Sequence, residues 1–439
     1  MTADRTDSAG RATRGLSYSE ALTAVLARAL PLSDVVMPLE DAFGFALAGP
    51  VVCRVSLPPW DNAGMDGYAV RRADVAGASV TAPVRLRETG TIAAGADPSR
   101  LPEVSRMTAV RIMTGAPVPA GADAVVRVED TRRDGTDVVI VNDRDLAGRG
   151  NIRPRGEDVV ANDALFDCGV TITSSHLGVL ASIGAAMVRV HRRPRVTVLS
   201  SGDELVLLDR FDEVEAGRRI VSSSTYALPA LLRRAGAAVR VVPLLPDSLV
   251  AVVSALRDAV DVGCDLLITT GGISVGAHDY TRDALVALDG SLAFWRARIR
   301  PGGPLGTGSI LGTPWLGLPG NPVSTMVTGM LFAWPLLRQL GGHAAIHHLP
   351  LRVRAMDHAD TAASLTHFLR VRVTRSTDGV LDAWLAGPQG SNLLRVMASS
   401  NALLVVPEHV NAVVPGMMLD AFIMPDAEWQ SDISLGGYT

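Results

Sequence analysis

The sequence predicts an α/β domain accompanied by two β-rich units, and three patterns carry that prediction. Between residues 191 and 345, the strand-like runs RVTVLSS, VRVVPLL, DLLITTGG and WLGLPG alternate with helical stretches. Such alternation makes a parallel sheet covered by helices. Residues 45–149 instead hold short β-rich runs broken by Gly and Pro, and 346–431 hold the alternating runs LRVRAM, FLRVRVT and NALLVVPE. A length of 439 residues suits two to four domains.

Composition narrows the function classes. The chain is 48% hydrophobic and 20% charged, with a formal net charge of -4. That balance gives no argument for nucleic-acid binding, and no basic tract stands out. All 41 residues counted as Lys+Arg are Arg, which excludes Schiff-base chemistry and a P-loop lysine. Cys53, Cys168 and Cys264 form no CxxC pair, so a disulfide scaffold or zinc ribbon is not expected. No apolar run approaches the roughly 20 residues of a membrane span. A cytoplasmic protein with no membrane partner is the expectation.

Taken in order, residues 1–14 are polar and small, an expected disordered start. Ser17 and Glu20 make a helix-start pair, followed by Leu22, Val25, Leu26 and Leu30 at helical spacing. Residues 15–44 and 150–190, the latter with the helical run SHLGVLASIGAA, are assigned to one extended unit. The β-rich runs VVCRVSLPP, APVRLRETG, AVRIM, AVVRVED and DVVIVN lie between. In 191–345 the helical stretches are YALPALLRRAG, SLVAVVSALRDAV and RDALVAL.

Five segments are candidates for chemistry. In DNAGMDGYAV, Asp66 is either a turn residue or an exposed carboxylate able to bind a metal or take a proton. In RIMTGAPVP, Thr114 and Gly115 offer a hydroxyl and open backbone to an anion, or form an ordinary loop. In SSGDEL, Ser200 and Ser201 offer hydroxyls and Asp203 suits a cap, whereas Glu204 is harder to explain as one. In TTGGISVGAHDY, Gly271 and Gly272 allow amides to converge on a phosphate beside Ser274, and Asp279 can cap the next helix or hold a divalent cation. In GLPGNPVS, Asn321 and Pro322 form a helix start that presents free N–H groups. WRARIRPGGP places Arg296, Arg298 and Arg300 on alternate residues, hence on one face of a single strand, facing a cleft or protecting an edge. Ligands of parallel sheets bind at the carboxyl ends of strands, where SSGDE, TTGG and LPGNP fall.

These segments, with NIRPRGEDV and RPGGP, resemble in order and spacing the molybdopterin molybdenumtransferase family, that of MoeA and the gephyrin E domain, from about Leu16 to Met424. The resemblance implies an elongated homodimer with a parallel α/β domain like molybdopterin adenylyltransferase and a small terminal β-barrel. It implies insertion of molybdenum from molybdate into adenylylated molybdopterin, with release of AMP and help from magnesium. Contacts with the adenylyltransferase and with acceptor molybdoenzymes follow from the same resemblance.

Carried over by motif, the functional acids fall on Asp66, Asp158, Glu204, Asp247 and Asp279, with Glu204 and Asp279 as metal ligands. Thr114, Arg296 and Arg300 join them as catalytic candidates. Substrate-binding positions fall on Gly115, Ser201, Gly271, Gly272, Ser274, Gly302, Asn321, Pro322, Arg370 and Ser391. The chain departs from the family pattern at Gly64, Ser222, Ser224, Gly303 and Ala398. Those departures motivate two alternatives: a scaffold that keeps the fold without efficient turnover, and a protein for a different adenylylated or pterin ligand.

Overall fold

The computed structural model describes residues 15–27, 29–273, 280–425 and 427. The expected disorder of 1–14 and the expected roles of Ser274 and Asp279 fall outside them.

The helix Tyr18–Leu26 starts as its local chemistry dictates. Ser17 Oγ accepts from the Glu20 N–H at 3.3 Å, and Glu20 Oε2 accepts from the Ser17 N–H at 2.8 Å. Its buried Ala21 and Val25 share a core with Phe332 and Leu336 of the α/β unit. The Tyr18 ring meets Phe332 and Phe368 edge-on, with centroids 5.7 and 5.2 Å apart. The strand after this helix goes elsewhere: Asp34–Pro38 pairs antiparallel with Met187–His191. The segments 15–44 and 150–190 therefore meet through a strand pair, while the helix packs on the α/β unit.

Residues 45–149 contain a six-stranded sheet in the order Ala124–Arg127, Gly67–Val70, Thr108–Ile112, Val84–Ile92, Asp137–Ile140, Thr131–Asp134. Separate apolar clusters cover its two faces, Tyr68 and Val70 in one and Ala69 in the other. Gly67 is obligatory here, because a Cβ would overlap the Val126 carbonyl oxygen of the adjacent strand. The run VVCRVSLPP shrinks to the strand Val51–Val52. Pro58 and Pro59 have no N–H to continue a ladder.

The α/β sheet runs Ala238–Val241, Arg195–Ser200, Leu266–Thr270, Thr313–Leu318, Pro304–Ile310, Ser291–Arg296. The first four strands are parallel; the fifth pairs antiparallel with the fourth, and the sixth antiparallel with the fifth. Leu266–Thr270 is buried at every position. Leu266 and Ile268 pack with Leu228 and Leu231 of the helix Ser224–Arg234. Leu267 packs on the opposite face with Val252 and Leu256 of the helix Leu249–Asp261. Burial on both faces is why this strand reads as a continuous apolar run. From Arg195–Ser200 the chain first adds a strand on one side and then, with Leu266–Thr270, on the other. That reversal leaves a crevice at the carboxyl ends of these two strands.

The terminal unit is a closed barrel. Thr366–Arg375, Leu381–Leu385, Pro350–Ala355, Met418–Ile423 and Ala402–Val406 pair in sequence, and Ala402–Val406 pairs back onto Thr366–Arg375. WRARIR is not the single strand its alternation predicts. Ser291–Arg296 belongs to the α/β sheet, whereas Ile299–Arg300 lies beside Thr366 and His367 of the barrel. The chain changes sheets between them, so the alternation resets. Arg298 turns to Glu408, Nη2 to Oε2 at 3.2 Å, and to the Gly15 carbonyl. Among the described residues, no helix is long and apolar enough to cross a membrane.

Candidate active site

The crevice predicted by the strand order is a cleft of about 430 Å³. One wall is the turn after Arg195–Ser200, contributing Ser201, Gly202 and Glu204. The facing wall is the turn after Leu266–Thr270, contributing Gly271, Gly272 and Ile273. Asn321, Pro322 and Ser324 enter from the turn after Thr313–Leu318, and Asp247 from the loop after Ala238–Val241. Three motifs separated by up to 120 positions thus converge because their strands are parallel neighbours.

Gly272 has φ +63° and leaves no room for a side chain, since a Cβ would lie 2.5 Å from Thr281 Oγ1. Only glycine lets this turn fold tightly with its backbone open to the cleft. Beneath it, Ser200 Oγ and Thr270 Oγ1 are hydrogen-bonded at 2.7 Å and tie the two strand ends together. The opposite side is lined with hydroxyls: Ser222, Ser223 and Ser224 all border the cleft. Ser222 Oγ bonds Thr225 Oγ1 at 2.6 Å, and Ser224 Oγ donates to Thr325 Oγ1 at 3.4 Å. Ser222 and Ser224 are departures from the family pattern within the serine run 222–224, and Ser324 is a lining residue that the sequence did not single out. Ser324 is the last residue of GLPGNPVS itself, and that membership was the available signal.

Among the described residues, the charged groups that line the cleft are Glu204 and Asp247, both acidic. An anion entering here finds amides and hydroxyls but no cationic side chain among them.

The helix Pro322–Thr328 has Asn321 at its cap position, yet the Asn321 side chain makes no capping bond. Its Nδ2 instead donates to Ser391 Oγ at 3.2 Å, and the Val323 N–H donates to the Ser391 carbonyl at 3.1 Å. The terminal barrel therefore supplies the cap, and one amide expected to be free is occupied. Ser391 is itself held by its loop. Arg370 Nη2 donates to the Gly390 carbonyl at 3.0 Å, and Gln389 Oε1 accepts from the Arg370 N–H at 2.8 Å. Arg370 is only 1% exposed, and its Nε has no partner. Burial holds its guanidinium below the usual arginine range. It reaches the cleft through the 389–391 loop.

Asp66 and Thr114 are brought together elsewhere, at exposed ends of strands of the 45–149 sheet. Asp66 Oδ1 accepts from both the N–H and the Oγ1 of Thr114, each at 2.7 Å. These two bonds, the backbone one first, hold the Asp66 carboxyl below the usual carboxylate range. Gly115, at φ +81°, donates its N–H to the Ala63 carbonyl at 2.8 Å. Asp158 is exposed in the 150–160 turn, its N–H bonded to the Leu57 carbonyl at 3.0 Å. Asp66, Thr114, Gly115 and Asp158 are not among the residues lining the cleft. Neither are the exposed Arg296 and Arg300, nor Gly302, which is buried against Thr328.

Comparison with known proteins identifies the family. Three family models match in succession: the MoeA N-terminal region (domains I and II) over residues 16–184, a probable molybdopterin binding domain over 197–339, and the MoeA C-terminal region (domain IV) over 352–421. Molybdopterin molybdenumtransferase 2 of Mycobacterium tuberculosis is 39% identical over 400 residues, 88% of this chain and 94% of that protein. The molybdopterin molybdenumtransferase of Nostoc sp. is 34% identical over 379 residues, 85% and 84% of the two chains. A molybdopterin biosynthesis MoeA structure from Pyrococcus horikoshii superposes with TM-score 0.74 at 26% identity, covering 93% of this chain and 99% of the other. A second, from the OT3 strain, has TM-score 0.79 at 24% identity, covering 94% and 100%, a likeness of fold.

Proposed function

The chain belongs to the molybdopterin molybdenumtransferase family, and on that premise we propose that it inserts molybdenum from molybdate into adenylylated molybdopterin, releasing AMP. The observation that carries this reading is the convergence of Ser201, Gly271, Gly272 and Asn321 around one crevice that also holds Glu204 and Asp247. Small residues and open backbone suit a pyrophosphate, and the acids facing it suit a cation rather than a second anion.

Glu204 and Asp247 fit magnesium, a hard cation commonly held by one or two carboxylates together with substrate phosphates. Bound magnesium would neutralise the pyrophosphate and favour departure of AMP. Asp279 is the further ligand implied by its motif. Within the cleft, the Gly272 backbone and the Ser201 hydroxyl would orient the phosphates, and Glu204 and Asp247 would hold the cation; the Gly271 N–H is spent on the Leu318 carbonyl at 3.1 Å. Arg296 and Arg300, which do not line the cleft in one chain, are the cations the family resemblance assigns to the remaining anionic charge, including that of molybdate. The dithiolene sulfurs of the pterin receive the molybdenum, so no protein thiolate is required.

Asp66, Thr114 and Asp158 act, in this reading, from a second subunit of a homodimer, each cleft being completed by the partner's 45–160 region. Their separation from the cleft-lining residues within one chain supports it. Mixing Asp66→Ala with Asp279→Ala subunits then restores part of the activity, and verified heterodimers without recovery would sink the shared site.

The primary test is molybdate-dependent AMP release from adenylylated molybdopterin with added magnesium. The hydroxyl wall at Ser222–Ser224 favours the second reading, a binder of another adenylylated or pterin ligand. Titration with AMP, molybdopterin and an unrelated nucleotide separates the two. Tight ligand binding without AMP release refutes the transferase.

A further inference from the structure

We infer that Asp203 is a positioning residue that sets Asp247 in the cleft: its carboxylate holds the Asp247 backbone N–H, and its own N–H holds one Asp247 carboxylate oxygen. The two acids form a reciprocal pair across 44 residues of sequence. Asp203 Oδ1 accepts from the Asp247 N–H at 3.2 Å, while the Asp203 N–H donates to Asp247 Oδ2 at 3.3 Å. Asp247 lines the cleft and so does Glu204, the neighbour of Asp203; Asp203 itself does not. Its side chain is spent on the loop that carries Asp247.

The surrounding backbone makes the clamp specific. The two loops are already joined by Leu245 N–H to Ser200 carbonyl at 2.9 Å and Gly202 N–H to Leu245 carbonyl at 3.3 Å. Those bonds fix the strand ends but stop two residues short of Asp247. The Asp203 pair extends the connection to the acid itself. One carboxylate oxygen of Asp247 is held by an N–H, which restricts its rotation and leaves the other for a ligand. Glu204 and Asp247 are thereby set on one rigid unit, so their spacing does not drift when the cleft is empty. A local cap on the following segment, the role that sequence position suggests for Asp203, is not what it performs.

The inference rests on the transferase reading only for the chemistry affected, so its test has one arm that needs no activity. Amide-resolved hydrogen exchange of the full chain measures whether the Asp247 N–H is protected. Asp203→Ala should accelerate that exchange about tenfold, and Asp203→Asn, which keeps the Oδ1 acceptor, should not. In the activity arm, Asp203→Ala should raise the half-saturating magnesium concentration about tenfold at nearly unchanged melting temperature, with Asp203→Asn close to wild type. Unchanged Asp247 exchange in Asp203→Ala overturns the clamp. Equal impairment of Asn and Ala variants overturns it too, by assigning the effect to charge. A wild-type chain that releases no AMP defeats the transferase reading alone, and exchange still decides the clamp.

Discussion

Replacing Arg370 with Met separates stability from function, and the reason is the poverty of its surroundings. The side chain is buried, with one bond from Nη2 to the neutral Gly390 carbonyl and no partner for Nε. Removing the guanidinium forfeits a charge-assisted bond, about 1.5–3 kcal/mol, but also removes an unsatisfied buried donor that costs about 1–3 kcal/mol. Met fills the stem's space with an unbranched chain. The two effects nearly cancel, so stability should change by no more than about 1 kcal/mol, or about 2 °C in melting temperature for a chain of this length. The loop that presents Ser391 to Asn321 and Val323 nevertheless loses its side-chain anchor. AMP release should fall about tenfold, equivalent to about 1.4 kcal/mol. Calorimetry beside the activity assay reads both quantities. A melting-temperature loss above about 10 °C with full residual activity per folded molecule would refute the reasoning.

Thr114→Val leaves the backbone N–H on Asp66 but removes the hydroxyl, so the Asp66 carboxyl should titrate higher than in wild type while staying below the ordinary range. Carbon-detected NMR titration reads the shift, and no movement would disprove the second bond. His343, pushed down to about 3 by burial, is neutral in the folded chain at pH 6.5 and above. Its contribution to stability is present above its unfolded value of about 6.5 and is lost as pH falls towards 3. His343→Gln should flatten the melting-temperature profile in that window, and an unaltered profile would count against it. Arg300→Lys should lower AMP release more than tenfold, through loss of bidentate contacts, with partial recovery on adding Gly303→Lys. A side chain fits at 303, where a Cβ meets the Ile299 carbonyl at an ordinary 3.4 Å; near-wild-type Arg300→Lys would make the arginine a compositional substitute. Gly67→Ala should destabilise the sheet that carries Asp66 by about 1–3 kcal/mol, because the Val126 carbonyl must move. Urea unfolding followed by circular dichroism measures it.

Much of the cleft was legible in the sequence. Parallel strands buried on both faces announce themselves as unbroken apolar runs, and their carboxyl ends are where SSGDE, TTGG and LPGNP stand. The Ser17–Glu20 capping box was legible for the same reason: both partners lie within one helical turn. What the sequence determined by itself, then, was features such as the capping box and the buried strands, whose partners are close along the chain or whose burial shows as an unbroken apolar run. Tertiary structure decided the rest. Asn321 turns from its own helix to Ser391, 70 positions away, and Arg298 turns to Glu408, 110 positions away. Asp203 caps an amide 44 positions away instead of a nearby one. Asn321 and Asp203 each had a plausible local role as a cap, and packing of one sheet or barrel against another offered a better-placed partner. Periodicity fixes which face a residue occupies but not which distant surface arrives there, and WRARIR lost its common face when its backbone crossed from one sheet to the next.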